Sequence, residues 1–69
     1  MEKKITDFLQ ELEKLSIQYG IWIEKDAKGV TTLVDDNINT IATDLTFDGD
    51  KQLYTAKLAE DGSTLMHLG

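Results

Sequence analysis

The sequence predicts an α+β fold in which one N-terminal amphipathic helix packs on an antiparallel meander sheet of four or five strands. Two observations carry this prediction. Residues 3–19 have the apolar spacing of a helix, and the segments after Gly20 are short, β-branched or alternating, and separated by turn residues. With 69 residues, the chain has the length of a single domain, residues 1–69.

The predicted helix covers residues 3–19 and ends at Gly20. Its apolar residues recur at spacings of three and four, and they are Ile5, Phe8, Leu12, Leu15 and Tyr19, with Leu9 beside them. A stripe of this kind is typical of a helix face that packs against a core. Glycine directly after the stripe is the residue that most readily ends a helix, because it adopts positive φ without strain.

Turn segments divide the rest of the chain into strands. Residues 21–25 and 30–34 form a predicted hairpin around residues 26–29, where Asp and Gly hold the positions that type I turns favour. A polar loop, 35–39, leads to a segment, 40–43, that fits either a loop or an extended strand. The remaining predicted strands are residues 44–48, 52–58 and, as a fifth at the C-terminus, 64–68.

Alternation along the strands assigns side chains to the two faces of the sheet. The helix-facing side is expected to carry Ile21, Ile23, Leu45, Phe47, Tyr54, Ala56 and Leu58. The opposite face receives Trp22, Thr46, Leu53 and Thr55. Because one helix covers only one side of a sheet, we expect Trp22 and Leu53 to form an exposed binding surface for a partner or a second copy. The alternative is a curved sheet that holds Trp22 in a minor apolar cluster.

The charge of the chain favours some partners over others. Thirteen acidic and seven basic residues give a net charge of −6. Because phosphate contacts need Lys and Arg, no direct nucleic-acid partner is expected, whereas a protein with a basic surface is compatible. The candidate binding carboxylates lie in predicted turns, and they are Asp35, Asp36, Asp48, Asp50, Glu60 and Asp61. The alternative is that the acidity only keeps a small protein soluble.

A calcium loop was one candidate metal site. Asp35, Asn37 and Asn39 match its first half, but Thr40 and Thr46 stand where the loop needs Gly and a bidentate Glu. An Asx turn between two strands explains the same residues, so no metal is expected.

Catalytic residue types do not occur in workable arrangements. The absence of cysteine excludes disulfides, thiolate zinc sites and a thiol nucleophile, and it is typical of a reducing cytoplasm. His67 is the single histidine and lies near a terminus, where a surface position is expected. Ser16 and Ser63 have no neighbouring base. We therefore expect no enzyme activity and no cofactor. No apolar run reaches the ~18 residues of a membrane span, and no signal peptide follows Met1, so a cytoplasmic protein is expected.

Two segments carry a resemblance to known proteins. Residues 15–21 follow the pattern Leu-Ser-x-x-Tyr-Gly-Ile, and residues 41–48 follow Ile-Ala-x-Asp-Leu-x-Phe-Asp, before Tyr54 and Ala56. With these patterns the chain resembles, over most of its length, small proteins encoded by phages and prophages of Gram-positive bacteria. Several of those proteins carry a cysteine-glycine insert where this chain has residues 26–29, so no role of that insert transfers. The resemblance implies no transferable activity.

The resemblance and the charge together favour one function. Small acidic phage proteins often obstruct host machinery, and anti-CRISPR inhibitors are among them. We therefore expect a stoichiometric inhibitor of a bacterial defence or nucleic-acid-handling protein. One alternative is an oligomeric sponge for a nucleotide signal, with Trp22 or Tyr54 stacking on the base and Lys25, Lys28 or Lys51 binding phosphate. Another is a phage protein that forms a homodimer and inhibits nothing.

Overall fold

The computed structural model describes residues 1–66, which form one helix followed by five strands. The elements are α1 (Glu2–Tyr19), β1 (Trp22–Lys25), β2 (Thr31–Val34), β3 (Thr40–Asp48), β4 (Leu53–Leu58) and β5 (Thr64–Met66). The strands form one antiparallel sheet whose spatial order is the chain order, β1-β2-β3-β4-β5. The predicted α+β class, N-terminal helix and meander are confirmed, with five strands. The predicted continuation of the last strand to residue 68, and the surface position expected for His67, lie outside the described residues.

The third strand is longer than the sequence pattern indicated. Residues 40–43, which fitted either a loop or a strand, are the first part of β3. The pairing of β3 changes register twice, near Val34 of β2 and again between Thr43 and Thr46. Asp44 lies inside the second irregularity with a φ of 54°. Irregularities of this kind bend and twist a strand, and they obscure the simple alternation that sequence analysis depends on.

The helix ends as predicted at Gly20, which has a φ of 67°. The backbone N–H groups of Gly20 and Ile21 both donate to the carbonyl oxygen of Ser16, at 2.8 and 3.2 Å. These bonds satisfy an otherwise unpaired helix carbonyl. Because only Gly20 and Ile21 separate α1 from β1, they also determine the direction in which the helix leaves the sheet.

The helix approaches the sheet only near its C-terminal end. Leu12, Leu15 and Ser16 of α1 line a shared cleft with Ile23 and Leu33 of the first two strands. Ser16 is the one buried residue of the helix. The contact is therefore confined to the β1–β2 side of the sheet.

Most of the apolar stripe is exposed, including Leu15 and Tyr19 near its C-terminal end, which corrects the expectation that the stripe faces a core. The side chains of Ile5 and Leu9 are exposed, and Phe8 is 59% exposed. The physical reason is that the helix meets the sheet only near its own C-terminal end, so nothing within residues 1–66 covers its first turns. Within the same part of the chain, no helix is long and apolar enough to cross a membrane.

The core of the sheet consists of small side chains. The buried residues of the described chain are Ser16, Thr32, Val34, Ala42 and Ala56, and no large side chain among them is fully enclosed. Phe47 pairs with Tyr54 across β3 and β4, with the ring centroids 5.4 Å apart. The pairing register confirms that these two share a face, but both rings stay about 60% exposed because the helix does not reach them.

Candidate functional site

The meander places its four turns at two opposite ends of the sheet. The β2–β3 and β4–β5 turns lie at one end with the helix–β1 junction, and the β1–β2 and β3–β4 turns lie at the other. The six candidate carboxylates are therefore separated. The first end carries Asp35, Asp36, Glu60 and Asp61, and the second carries Asp48 and Asp50. The predicted acidic set does not form one site.

The first end, which we call the acidic end, has an unbalanced negative charge. Its turn segments, residues 35–41 and 58–63, contain four carboxylates and no lysine. The backbone N–H of Ala59 donates to the carbonyl oxygen of Ile41 at 3.1 Å and links the bases of the two turns. At about 4.8 Å per strand, the two turns lie about 10 Å apart. That distance is close to the Debye length, which is about 10 Å at 0.1 M salt and about 8 Å at physiological salt. Their fields therefore add.

The second end, which we call the mixed end, is electrically balanced. Its three carboxylates and three lysines are Asp26, Asp48, Asp50, Lys25, Lys28 and Lys51. Leu53 lies at this end, half-buried and opposite Asp48 in the ladder. Trp22 begins β1 next to the acidic end. Trp22 and Leu53 share a face of the sheet but lie at its opposite ends. A binding surface that includes both therefore stays a prediction and would have to extend along the strands.

Several of the carboxylates build the turns in which they lie. Asp35 Oδ1 accepts hydrogen bonds from the backbone N–H groups of Asn37 and Asn39, both at 2.9 Å. The bond from Asn39, against a smaller opposing effect of desolvation, holds the pKa of Asp35 below its ordinary value of 3.8. This is the Asx turn that the sequence favoured over a calcium loop. Within residues 1–66, no three His, Cys, Asp or Glu residues are placed to hold a metal ion.

The same capping occurs in the other turns. Asp61 Oδ1 accepts from the backbone N–H of Ser63 at 2.9 Å, and this bond lowers the pKa of Asp61 from 3.8. Asp48 Oδ1 accepts from the N–H groups of Asp50 and Lys51, at 3.0 and 3.2 Å. In contrast, no hydrogen bond or salt bridge within residues 1–66 engages the carboxylates of Asp50 or Glu60. Those two are available to a partner without cost to a turn.

Asp36 connects the acidic end to the helix end. Its Oδ1 accepts a hydrogen bond from Trp22 Nε1 at 3.0 Å, and a Cβ built on Gly20 would lie 2.8 Å from its Oδ2. Trp22 is 38% exposed and pairs with Val34. The Trp22 side chain is therefore neither in the core nor fully in solvent. It keeps one exposed face beside the acidic turn while its polar tip is satisfied.

Ile38 is a candidate binding residue that sequence reasoning missed. It shares an open cleft of about 460 Å³ with Trp22 and the carboxylates Asp35 and Asp36. Its side chain is 73% exposed, and its φ is 63°. A β-branched residue rarely adopts positive φ, and such strain is concentrated at functional positions. The available signal was a single β-branched apolar residue inside the polar segment Asp-Asp-Asn-Ile-Asn.

The acidic end thus combines two apolar side chains with a charged border. Trp22 and Ile38 flank the cleft, and the four carboxylates lie around it and on the neighbouring turn. An apolar centre inside a polar rim is the usual composition of a protein-binding patch. Comparisons with protein-family models, with curated proteins and with solved structures gave no match. A function for the chain therefore has to be argued from this geometry and charge.

Proposed function

We propose that this chain acts by binding, without catalysis, and that its acidic end occupies a basic surface of a bacterial nucleic-acid-handling or defence protein. The observation that carries the proposal is the charge of that end, where four carboxylates stand without a lysine. Grooves that bind nucleic acid are lined by Lys and Arg, which neutralise backbone phosphates. A compact body with clustered carboxylates competes for the same cations.

The apolar residues of the acidic end supply the second half of the interaction. Charge complementarity mainly raises the rate of encounter, whereas a buried aromatic side chain contributes to the lifetime of a complex. Trp22 is suited to that role because its indole N–H is already satisfied by Asp36. Its exposed face can therefore be buried in a partner without leaving an unpaired donor.

The resemblance to small phage proteins supports a host defence nuclease as the class of target. In that setting the chain is a stoichiometric, anti-CRISPR-type inhibitor that works in the bacterial cytoplasm, contacts no nucleic acid directly and needs no cofactor. The sponge alternative has less support. Lys25, Lys28 and Lys51 do share the mixed end, but the three carboxylates there would repel the phosphates of a nucleotide.

The test uses two charge reversals, each from a carboxylate to lysine, at opposite ends of the sheet. Glu60→Lys changes a carboxylate of the acidic end, and Asp50→Lys changes one of the mixed end; neither carboxylate holds a turn. Reversal of Asp35 or Asp36 is less informative, because it would also remove turn and Trp22 contacts. Binding is measured by calorimetry against purified CRISPR effector nucleases and other DNA-binding defence nucleases, at low and at physiological salt.

We expect one chain to bind one target protein, and nucleic acid to displace the chain from it. The affinity should fall steeply as salt increases, because exposed charges are screened over about 8–10 Å. Glu60→Lys should slow association about tenfold or more, while Asp50→Lys should leave it within about twofold. Equal effects of the two reversals, or affinity that does not change with salt, would contradict the proposal. Tight binding of cyclic nucleotides that requires Lys25 or Lys28 would favour the sponge instead.

A further inference from the structure

The chain exposes more surface than a protein of its size normally does. Its accessible surface is 5818 Å², whereas a folded monomer of 7.7 kDa is expected to expose about 4,300 Å². Its radius of gyration is 13.0 Å, against about 11 Å for a globule of this length. About 1,500 Å² of surface therefore remains open that a monomeric globule would bury.

Much of the open surface is apolar and lies on two elements. One is the helix stripe, whose exposed members are Ile5, Phe8, Leu9, Leu15 and Tyr19. The other is the sheet face on β3, β4 and β5, whose exposed members are Phe47, Tyr54 and Leu65. We call this second area the bare sheet face. These eight exposed side chains are large and uncharged, and contiguous apolar patches of this kind commonly mark interaction surfaces.

The helix of the same chain is not positioned to cover the bare sheet face. Its C-terminal end lies beside β1 and β2, and its exit direction is set by the bonds from Gly20 and Ile21 to Ser16. A connection of two residues leaves no slack for the helix to cross to β4. Asp36 packed against Gly20 restricts the junction further.

We propose that a second copy of this chain covers both areas, as a two-fold dimer in which each helix lies across the bare sheet face of its partner. The dimensions agree. The helix has 18 residues, or about 27 Å, and five strands span about 19 Å. The open surface of about 1,500 Å² per chain also falls in the range of obligate homodimers, which bury about 1,000–2,500 Å² per subunit.

Dimerisation and docking through the acidic end should depend on salt in opposite directions. Each chain has a net charge of −6, so two copies repel one another and added salt should strengthen their association. Added salt should weaken docking onto a basic target. Loss of one interaction can therefore be distinguished from loss of the other in the same titration.

The test compares two identical chemical changes on one helix. Ile5→Glu places a charge on the stripe, and Ile17→Glu places the same charge on an exposed helix position off the stripe. By sedimentation equilibrium, the native chain and Ile17→Glu should have twice the monomer mass of 7.7 kDa. Ile5→Glu should weaken dimerisation at least a hundredfold and, at the same concentration, sediment as a monomer with native helix content by circular dichroism.

A second measurement identifies which surfaces meet. A nitroxide attached to Ile17→Cys in one population is mixed with ¹⁵N-labelled native chains, so that only contacts between copies broaden the labelled signals. Broadening should be greatest at Phe47 and Tyr54. A native chain that stays monomeric at 0.5 mM in high salt, equal dimerisation of the two glutamate variants, or broadening confined to helix residues would each overturn the proposal.

Discussion

The two ends of the sheet are built alike and carry different charge. Each end has two turns, and in each turn an aspartate accepts one or two backbone N–H groups through its Oδ1. At the mixed end three lysines balance the carboxylates, whereas the turn segments of the acidic end contain no lysine. The comparison shows that turn chemistry and surface charge are separate properties of the same residue type. A count of carboxylates does not reveal which of them a partner can reach.

The largest expected difference between the two ends is the loss of stability when a glycine at each end is replaced by alanine. Gly20→Ala should cost about 2 kcal/mol, because φ is positive there and the new Cβ would meet Asp36 Oδ2 at 2.8 Å. Gly49→Ala at the mixed end should change stability by less than about 0.5 kcal/mol, since its Cβ would meet only Phe47 Cε2 at 3.8 Å. Urea unfolding of both variants measures this. Similar losses at the two positions would mean that the helix junction carries no special strain.

The next difference concerns the carboxylate that contacts Trp22. Asp36→Ala should destabilise the chain by about 1 kcal/mol, because it leaves the indole N–H without its partner. Asp36→Asn keeps an acceptor oxygen and should recover most of that loss. Asp50→Ala, at the mixed end, should have almost no effect. Tryptophan fluorescence during unfolding follows Trp22 directly. If Asp36→Asn loses as much stability as Asp36→Ala, the effect would come from the negative charge and not from the acceptor oxygen.

The acidic end should also control the stability of the chain at low pH. The folded-state pKa values of Asp35 and Asp61 lie below 3.8. The two carboxylates therefore stabilise the fold fully when the pH is above their pKa in the unfolded chain. This stabilisation is lost as the pH falls through their lower pKa in the folded chain. Unfolding midpoints should therefore decline below about pH 4. Asp35→Asn, which keeps the acceptor but cannot titrate, should flatten that decline; an unchanged pH profile would contradict a capping role for the charge.

The smallest expected effect is electrostatic. Glu60→Lys introduces a cation among three carboxylates, so at low salt it should raise stability by a few tenths of a kcal/mol. Asp50→Lys adds a cation where lysines are already present and should lower stability by a similar amount. Both effects should vanish at 1 M salt, where the Debye length is about 3 Å. Persistence of either in high salt would indicate a local contact that charge alone does not explain.

Local features of this fold could be predicted from the sequence, and non-local ones could not. Gly20 as the helix end and the Asx turn at Asp35 depend on residues close in the chain, and the structure has both. The bond from Trp22 to Asp36 joins positions fourteen residues apart, and no spacing rule predicts it. The strained φ of Ile38 likewise follows from how the whole β2–β3 turn closes.

The packing of the helix was beyond the reach of periodicity for another reason. A stripe such as that of Ile5, Phe8 and Leu12 shows that a face needs covering, but it does not show what covers it. In a chain of 69 residues, the sheet on which a helix packs need not belong to the same molecule. Burial within one chain and burial between two chains have the same sequence pattern.

The order of the strands has a consequence for how the chain folds. Every strand pairs with the strand next to it in sequence, so each pairing closes only a short loop and little chain entropy is lost before contacts form. The chain also contains no proline, so no prolyl isomerisation can delay folding. Refolding of the sheet should therefore be fast and free of slow phases, and any slow, concentration-dependent step belongs to the meeting of two chains.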